Sequence, residues 1–181
     1  RVLFRSITVN GQTYSDATTH GDEHWTLAGI LEQSSNVGMI IAGEKMSNEQ
    51  RYDFIRKFGV GQDNGLGLPG ESDGLLYSSD QWDLRTQNTV LFGQAYTTNA
   101  LQLTNAVAVI ANKGVKKPQR IIKTISDAEG HSEEQKPEGE ATRVIDEQVA
   151  SQVMNAMESV SDHYSQFIKV DGYRVAAKSG T

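Results

Sequence analysis

Glu32-Gln33-Ser34-Ser35-Asn36-Val37-Gly38 is where the helical pattern of the chain breaks and restarts. Upstream, Thr26 stands at an N-cap position before Leu27, Ile30 and Leu31, an i, i+3, i+4 spacing that predicts a helix running into Ser34. Ser35 and Asn36 are poor helix-interior residues, because short polar side chains compete for the backbone. Val37–Ala42 predicts a second helix. The spacing therefore sets Ser-Ser-Asn at a junction between two helices, where exposed polar side chains can be held rigidly. At the other end, Tyr173–Ala177 predicts a strand leading into Lys178-Ser179-Gly180-Thr181.

Working outward, Ile7–Val9 and Thr13–Tyr14 flank Asn10-Gly11 and predict a short hairpin. Ser15-Asp16 and His20-Gly21-Asp22 read as turn formers. Ser47 and Gln50 have capping-box spacing before a helix over about Asn48–Phe58, expected to bury Tyr52, Ile55 and Phe58 and to stop at Gly59. Residues 59–85 form a long glycine-rich connection. It does not read as a phosphate loop, since no Lys-Ser/Thr follows the glycines and no strand-to-helix transition carries them. Ala100 opens a helix with Leu103, Ala106, Val107 and Ile110 on its expected inner face and Asn112-Lys113-Gly114 at its end. Arg120–Ser126 predicts a strand, residues 131–141 a solvated turn or hairpin tip. Asp146 starts a helix with Val149, Val153, Met154, Met157 and Val160 expected inward.

At 181 residues, 37% hydrophobic and 22% charged, the chain is expected to form a single domain over residues 1–181 with one real core. A net charge of -6 and no basic face argue against nucleic acid as a partner. No apolar run approaches the ~20 residues of a membrane helix. The absence of cysteine removes disulfides and thiolate metal sites. His20, His24, His131 and His163 never fall at zinc-ligand spacing. With no initiator Met, the chain reads as a fragment.

The two polar motifs suit serine acyl transfer, which needs an activated nucleophile, fixed donors for the oxyanion and a proton for the leaving amine. Ser34 can relay that proton. Asn36 can donate to a substrate carbonyl and accept from an ammonium at once. Lys178 supplies positive charge, Ser179 a hydroxyl for a substrate carboxylate, and Gly180 a bare backbone against which an extended substrate can lie. The Thr181 N–H can point at the oxyanion. The nucleophile itself is missing: no Ser is followed three residues later by Lys anywhere in the sequence.

From about residue 20 onward the chain resembles the transpeptidase domain of class B penicillin-binding proteins. Leu27–Asn36 with Val37-Gly38 resembles the helix leading to the family's Ser-Ser-Asn. Phe58-Gly59-Val60-Gly61, then Gly65-Leu66-Gly67-Leu68-Pro69-Gly70-Glu71 and Gly74, resembles a second conserved block. Gly93-Gln94, Thr98, Leu101-Gln102-Leu103 and Ile110-Ala111-Asn112-Lys113-Gly114 resemble a third. Ala176-Ala177-Lys178-Ser179-Gly180-Thr181 is similar to the family's Lys-Thr-Gly strand. Asn64 departs from the usual Thr, Asn99-Ala100 from Thr-Pro, and Ser179 from the commoner Thr.

The resemblance implies an α+β fold of the penicillin-binding protein/β-lactamase-like kind, here incomplete, with most of the central antiparallel sheet outside this span. It implies a peptidoglycan D,D-transpeptidase that acts on stem peptides ending in D-Ala-D-Ala, binds β-lactams, and works on the outer face of the bacterial cytoplasmic membrane with other cell-wall synthesis proteins. Ser34, Asn36 and Lys178 would be catalytic, Ser179, Gly180 and Thr181 would bind substrate, and no metal or organic cofactor is implied. Alternatives are a D,D-carboxypeptidase or β-lactamase, a β-lactam sensor, or a cell-wall scaffold. Without Ser-x-x-Lys, the chain alone is expected to be inactive and unstable.

Overall fold

The structure, a computed structural model, describes residues 2–3, 5–67 and 69–180. Helices and short strands are mixed, as an α+β class requires. The chain forms two compact units: Arg1–Phe54, Tyr77–Tyr96 and Ser151–Thr181 make the first, Ile55–Leu76 and Thr97–Ala150 the second.

The first unit opens with β1 (Val2–Leu3), which pairs with β4 (Glu23–His24), and with the expected hairpin of β2 (Ser6–Val9) and β3 (Gln12–Ser15). Asn10 and Gly11 both have positive φ, 50° and 75°, the two-residue turn whose twist matches the flanking strands. Tyr14 is buried; its hydroxyl donates to the Leu84 carbonyl at 3.4 Å and accepts from Asn88 Nδ2 at 3.2 Å, which pins the end of β3. Helices α1 (Leu27–Glu32) and α2 (Asn36–Gly43) follow, as predicted, with Thr26 accepting from the Gly29 N–H. Ile30, Val37 and Ile40 are buried between them, whereas Leu27 points outward.

Helix α3 (Asn48–Lys57) starts with the expected capping box, Ser47 and Gln50 exchanging bonds of 2.8 and 3.1 Å. Its buried residue is Arg51; Tyr52, Ile55 and Phe58 are only half-buried. The guanidinium donates to the carbonyls of Gly43 (3.1 Å) and Gln87, so a charge replaces the expected apolar contact by satisfying two backbone acceptors. Short helix α4 (Thr86–Thr89) carries buried Asn88 and Thr89.

In the second unit, α5 (Ala100–Ala111) begins at Asn99 with a full capping box to Gln102. Its inner face is Gln102 and Val109, not the expected set: Leu103 and Val107 are exposed. The departure from Thr-Pro at 99–100 has a consequence here, since Asn99 also donates to the Ser72 carbonyl at 2.7 Å. Gln102 Nε2 donates to the carbonyls of Gln62 and Asp73, both at 2.7 Å, while Oε1 accepts from Thr98 Oγ1 at 2.8 Å and the Asn99 N–H at 3.1 Å. Gly74, at φ 70°, closes this knot: a Cβ there would lie 2.4 Å from the Thr97 carbonyl oxygen.

Strand β5 (Val115–Lys116) pairs with β8 (Thr142–Arg143), and β6 (Thr124–Ser126) with β7 (Ser132–Glu134). The strand expected from Arg120 thus shrinks to its last three residues, and the acidic tip supplies its partner. Ile121, Ile122 and Ile125 are exposed, so their β-branched pattern reflects strand propensity without burial.

Helix α6 (Glu147–His163) buries Ala150, Met157 and Val160; Val153 and Met154 are half-buried and Val149 is exposed. A short turn of helix, α7 (Ser165–Ile168), follows. Residues 173–180 form no strand, contrary to expectation. Among the described residues they make no ladder, and the Ala177 N–H instead donates to the Met157 carbonyl of α6 at 3.1 Å. No described helix is long and apolar enough to cross a membrane.

Candidate active site

The site lies in the first unit and starts from how α1 ends. The Ser34 N–H donates to the Leu31 carbonyl (3.2 Å) and the Ser35 N–H to that of Ile30 (3.0 Å), a Schellman closure. That closure requires a left-handed residue, normally glycine, and Ser34 adopts it at φ 53°. A non-glycine residue held there is strained, and such strain gathers at functional sites. The reward is direction: the Ser34 hydroxyl projects outward, exposed, from a fixed backbone.

Ser35 faces the other way. Only 1% exposed, it accepts from the Gly38 N–H at 2.8 Å as the N-cap of α2 and donates to Asp16 Oδ2 at 2.8 Å. Asp16 Oδ1 accepts from the Val37 N–H at 2.9 Å, placing a carboxylate at the positive end of α2. Asp16 Oδ2 also meets His20 Nε2 at 2.8 Å. Gly38 is required by packing, since a Cβ would lie 2.7 Å from Ile30 Cγ2 and 3.0 Å from Ser35 Oγ.

Helix α6 brings in the far end of the chain. Glu32, the last residue of α1, accepts from Ser159 Oγ at 3.0 Å and lies 3.3 Å from His163 Nδ1, both on α6. Just before Ser159 on the same helix, the Met157 carbonyl holds Ala177, and Arg174 Nη2 meets Glu158 at 2.7 Å. Lys178 follows directly. Its Nζ donates to Ser34 Oγ at 2.9 Å across 144 positions, and to Ser179 Oγ at 3.1 Å and the Ser179 carbonyl at 3.0 Å. Although much of the residue is open to solvent, lost hydration pushes the Lys178 ammonium below its ordinary pKa.

Ser34, Lys178 and Ser179 therefore form one polar cluster. Asn36 stands beside it as the first residue of α2, its Nδ2 donating to the Ser15 carbonyl at 3.1 Å. Gly180 opens onto free space, with nothing within 4 Å of where a Cβ would be. Thr181 lies outside the described residues. A cavity of about 590 Å³ between Glu158, Asp162, Lys169 and Tyr173 is close by in sequence but includes neither Ser34 nor Lys178.

Asp16, His20 and Ser35 brace the junction that carries Ser34, whereas the sequence reads Asp16 and His20 as turn formers and Ser35 as a poor helix-interior residue. The bonds that tie them to the junction are not local: Asp16 lies 19 positions from Ser35 and 21 from Val37. Asp127, Glu129 and His131 have ligand atoms within 4.8 Å of one another, but all are exposed in the second unit. Asp127 is already engaged there, accepting from the N–H groups of Glu129 and His131.

Chemically, the cluster offers a cation touching an oriented hydroxyl. A positive charge at hydrogen-bond distance favours the deprotonated form of its neighbour, the arrangement that a proton-donating hydroxyl needs.

The profile of the family described as Penicillin binding protein transpeptidase domain matches residues 5–181. Penicillin-binding protein PbpB of Mycobacterium tuberculosis is 38% identical over 97% of this chain and 27% of its own length. Peptidoglycan D,D-transpeptidase FtsI of Escherichia coli is 31% identical over 96% of this chain and 28% of its own length. The chain thus spans about a quarter of the curated relatives it matches. Among solved structures, a peptidoglycan synthetase from Bifidobacterium adolescentis is 66% identical with a TM-score of 0.92, covering 100% of this chain and 35% of that one. Penicillin binding protein 3 from Mycobacterium tuberculosis, solved in complex with aztreonam, is 35% identical with a TM-score of 0.83, over 97% of this chain and 38% of that one.

Proposed function

This chain belongs to the penicillin-binding protein transpeptidase family, and we propose that it is part of a peptidoglycan D,D-transpeptidase of class B, one partial transpeptidase domain over its length. The observation that carries the reading is the 2.9 Å bond from Lys178 Nζ to Ser34 Oγ. It supports the reading by bringing the two motifs into contact.

The nucleophilic Ser-x-x-Lys of this reading comes from elsewhere in the whole protein, as the sequence given has none. That serine gives its proton to the lysine of the same motif as it attacks the D-Ala-D-Ala carbonyl of a stem peptide. Ser34 passes its own proton to the departing D-Ala nitrogen and takes one back from that lysine, with the Lys178 charge easing the release. Asn36 and the Ser179 hydroxyl orient the substrate's amide and terminal carboxylate. Gly180 lets the extended peptide lie against the backbone, and the Thr181 N–H stabilises the oxyanion. The acyl group then goes to a neighbouring stem's amine. Because peptidoglycan lies outside the cytoplasmic membrane, the site works on that face, beside other cell-wall synthesis proteins. β-Lactams, which mimic D-Ala-D-Ala, acylate the same nucleophile.

The test is labelling of the whole protein with a fluorescent penicillin, followed by peptide mapping. The reading expects one labelled serine, in a Ser-x-x-Lys outside residues 1–181, blocked by excess ampicillin. No label on folded protein, or a label within residues 1–181, overturns it.

A further inference from the structure

We propose that His20 is a positioning residue for Ser34, acting as an imidazolium that clamps Asp16 and thereby fixes the backbone on which Ser34 faces Lys178. The inference rests on the transpeptidase reading only for its kinetic consequence; the clamp itself is read from the geometry.

Both ring nitrogens of His20 face acceptors. Nδ1 lies 2.7 Å from the Gly21 carbonyl oxygen and Nε2 lies 2.8 Å from Asp16 Oδ2. A carbonyl can only accept, and a carboxylate already receiving Ser35 Oγ and the Val37 N–H is best served by a third donor. A neutral imidazole has one N–H and can satisfy one side alone; the imidazolium satisfies both. The pair is sheltered, with side-chain exposures of 12% for His20 and 5% for Asp16. The Trp25 ring lies 4.8 Å from the imidazole at 54°, a surface that favours a cation. The charged groups acting on the ring are Asp16, at the end of β3, and Glu23 on β4, both negative. With the bond to Asp16 foremost, they raise the pKa of His20 above its ordinary value, against a smaller opposing effect of burial.

The chain of consequence is short. His20 holds the Asp16 carboxylate in the one orientation that reaches Ser35 and Val37 together. Ser35 lies within the Ser-Ser-Asn turn and Val37 follows it, and Ser34 adopts its left-handed backbone at the start of that turn. When His20 loses its proton, one of its two bonds goes, and Asp16 is free to turn. A histidine with a raised folded pKa contributes its full support below about pH 6.5 and loses it as pH rises through the raised value. The clamp therefore holds on the acid side of that raised value and opens as pH rises through it.

The experiment compares the whole protein with its His20→Gln variant, which keeps a donor near the Nε2 position but cannot titrate. The rate of acylation by a fluorescent penicillin is followed from pH 6 to 9.5. The ratio of wild type to variant is expected to be about tenfold near pH 6, the scale of one charge-assisted hydrogen bond, and to fall toward one at high pH. A ratio that stays constant with pH, as a purely structural role gives, overturns the proposal, and so does a ratio of one throughout. Titrations common to both proteins, Lys178 included, cancel in this ratio.

A second readout does not depend on activity. In ¹⁵N-labelled whole protein, the His20 ring is expected to be doubly protonated at pH 6, and the Ser34 amide to shift with that ring's titration in wild type but not in the variant. A neutral ring at pH 6, or a Ser34 amide that ignores the titration, overturns the clamp. Absence of penicillin labelling in both proteins counts against the transpeptidase reading, and the amide titration then decides the clamp by itself.

Discussion

Two polar knots tie distant parts of this chain together, and they end in opposite states. In the second unit, the Gln102 side chain is 1% exposed and every hydrogen-bonding position it has is filled by partners from residues 62 to 99. In the first unit, Ser35 and Asp16 are equally engaged, yet the residue they brace, Ser34, is exposed and strained at φ 53°. A saturated knot can only stabilise. A braced but unsaturated one keeps a hydroxyl available for chemistry, which separates the residues expected to control folding from those expected to control rate.

Lys178→Ala in the whole protein tests that separation with the largest expected effect. Acylation by penicillin should fall about a hundredfold or more, the scale of losing one group that acts on charge in the transition state. The urea midpoint should hardly move, because removing a partly dehydrated cation costs the fold nothing. Gln102→Ala should do the reverse. It strands the carbonyls of Gln62 and Asp73, for a loss of about 3 kcal/mol or more in urea unfolding, while molecules that remain folded acylate at the wild-type rate. A large rate loss in folded Gln102→Ala would erase the distinction.

Gly38→Ala falls between the two. Its Cβ must displace Ile30 or Ser35 Oγ, so about 1–3 kcal/mol of stability is expected to go, together with a slower acylation. Thr26→Ala, which removes the N-cap of α1, should cost about 1 kcal/mol in the same unfolding assay. Acylation should stay unchanged, because the Schellman closure at the helix's other end does not depend on it.

How much of this the sequence discloses depends on whether a signal is local. Thr26, Ser47 and the Asn10-Gly11 turn act within a few residues of themselves, and each does what its motif says. The α1–α2 junction follows from the poor helix propensity of Ser35 and Asn36. The face of α5 does not, because the buried residue is a glutamine and hydrophobic periodicity has no means of finding a saturated amide. Arg51 escapes for the same reason. Tyr173–Ala177 alternates like a strand but bonds to α6, and a strand is defined by a partner its own sequence does not contain. Within the site, Ser34 and Lys178 are legible as two short motifs, whereas Asp16 and His20 are visible only once the hairpin is folded against α2.

The central claim is that Ser34 and Lys178 act as one unit, and a double-mutant cycle on acylation tests it most directly. Ser34→Ala, Lys178→Ala and the double variant are compared in the whole protein. The double variant is predicted to be no slower than the slower single one, since either change already breaks the 2.9 Å bond. If the two losses multiply instead, the hydroxyl and the ammonium work independently and the proposed relay is wrong.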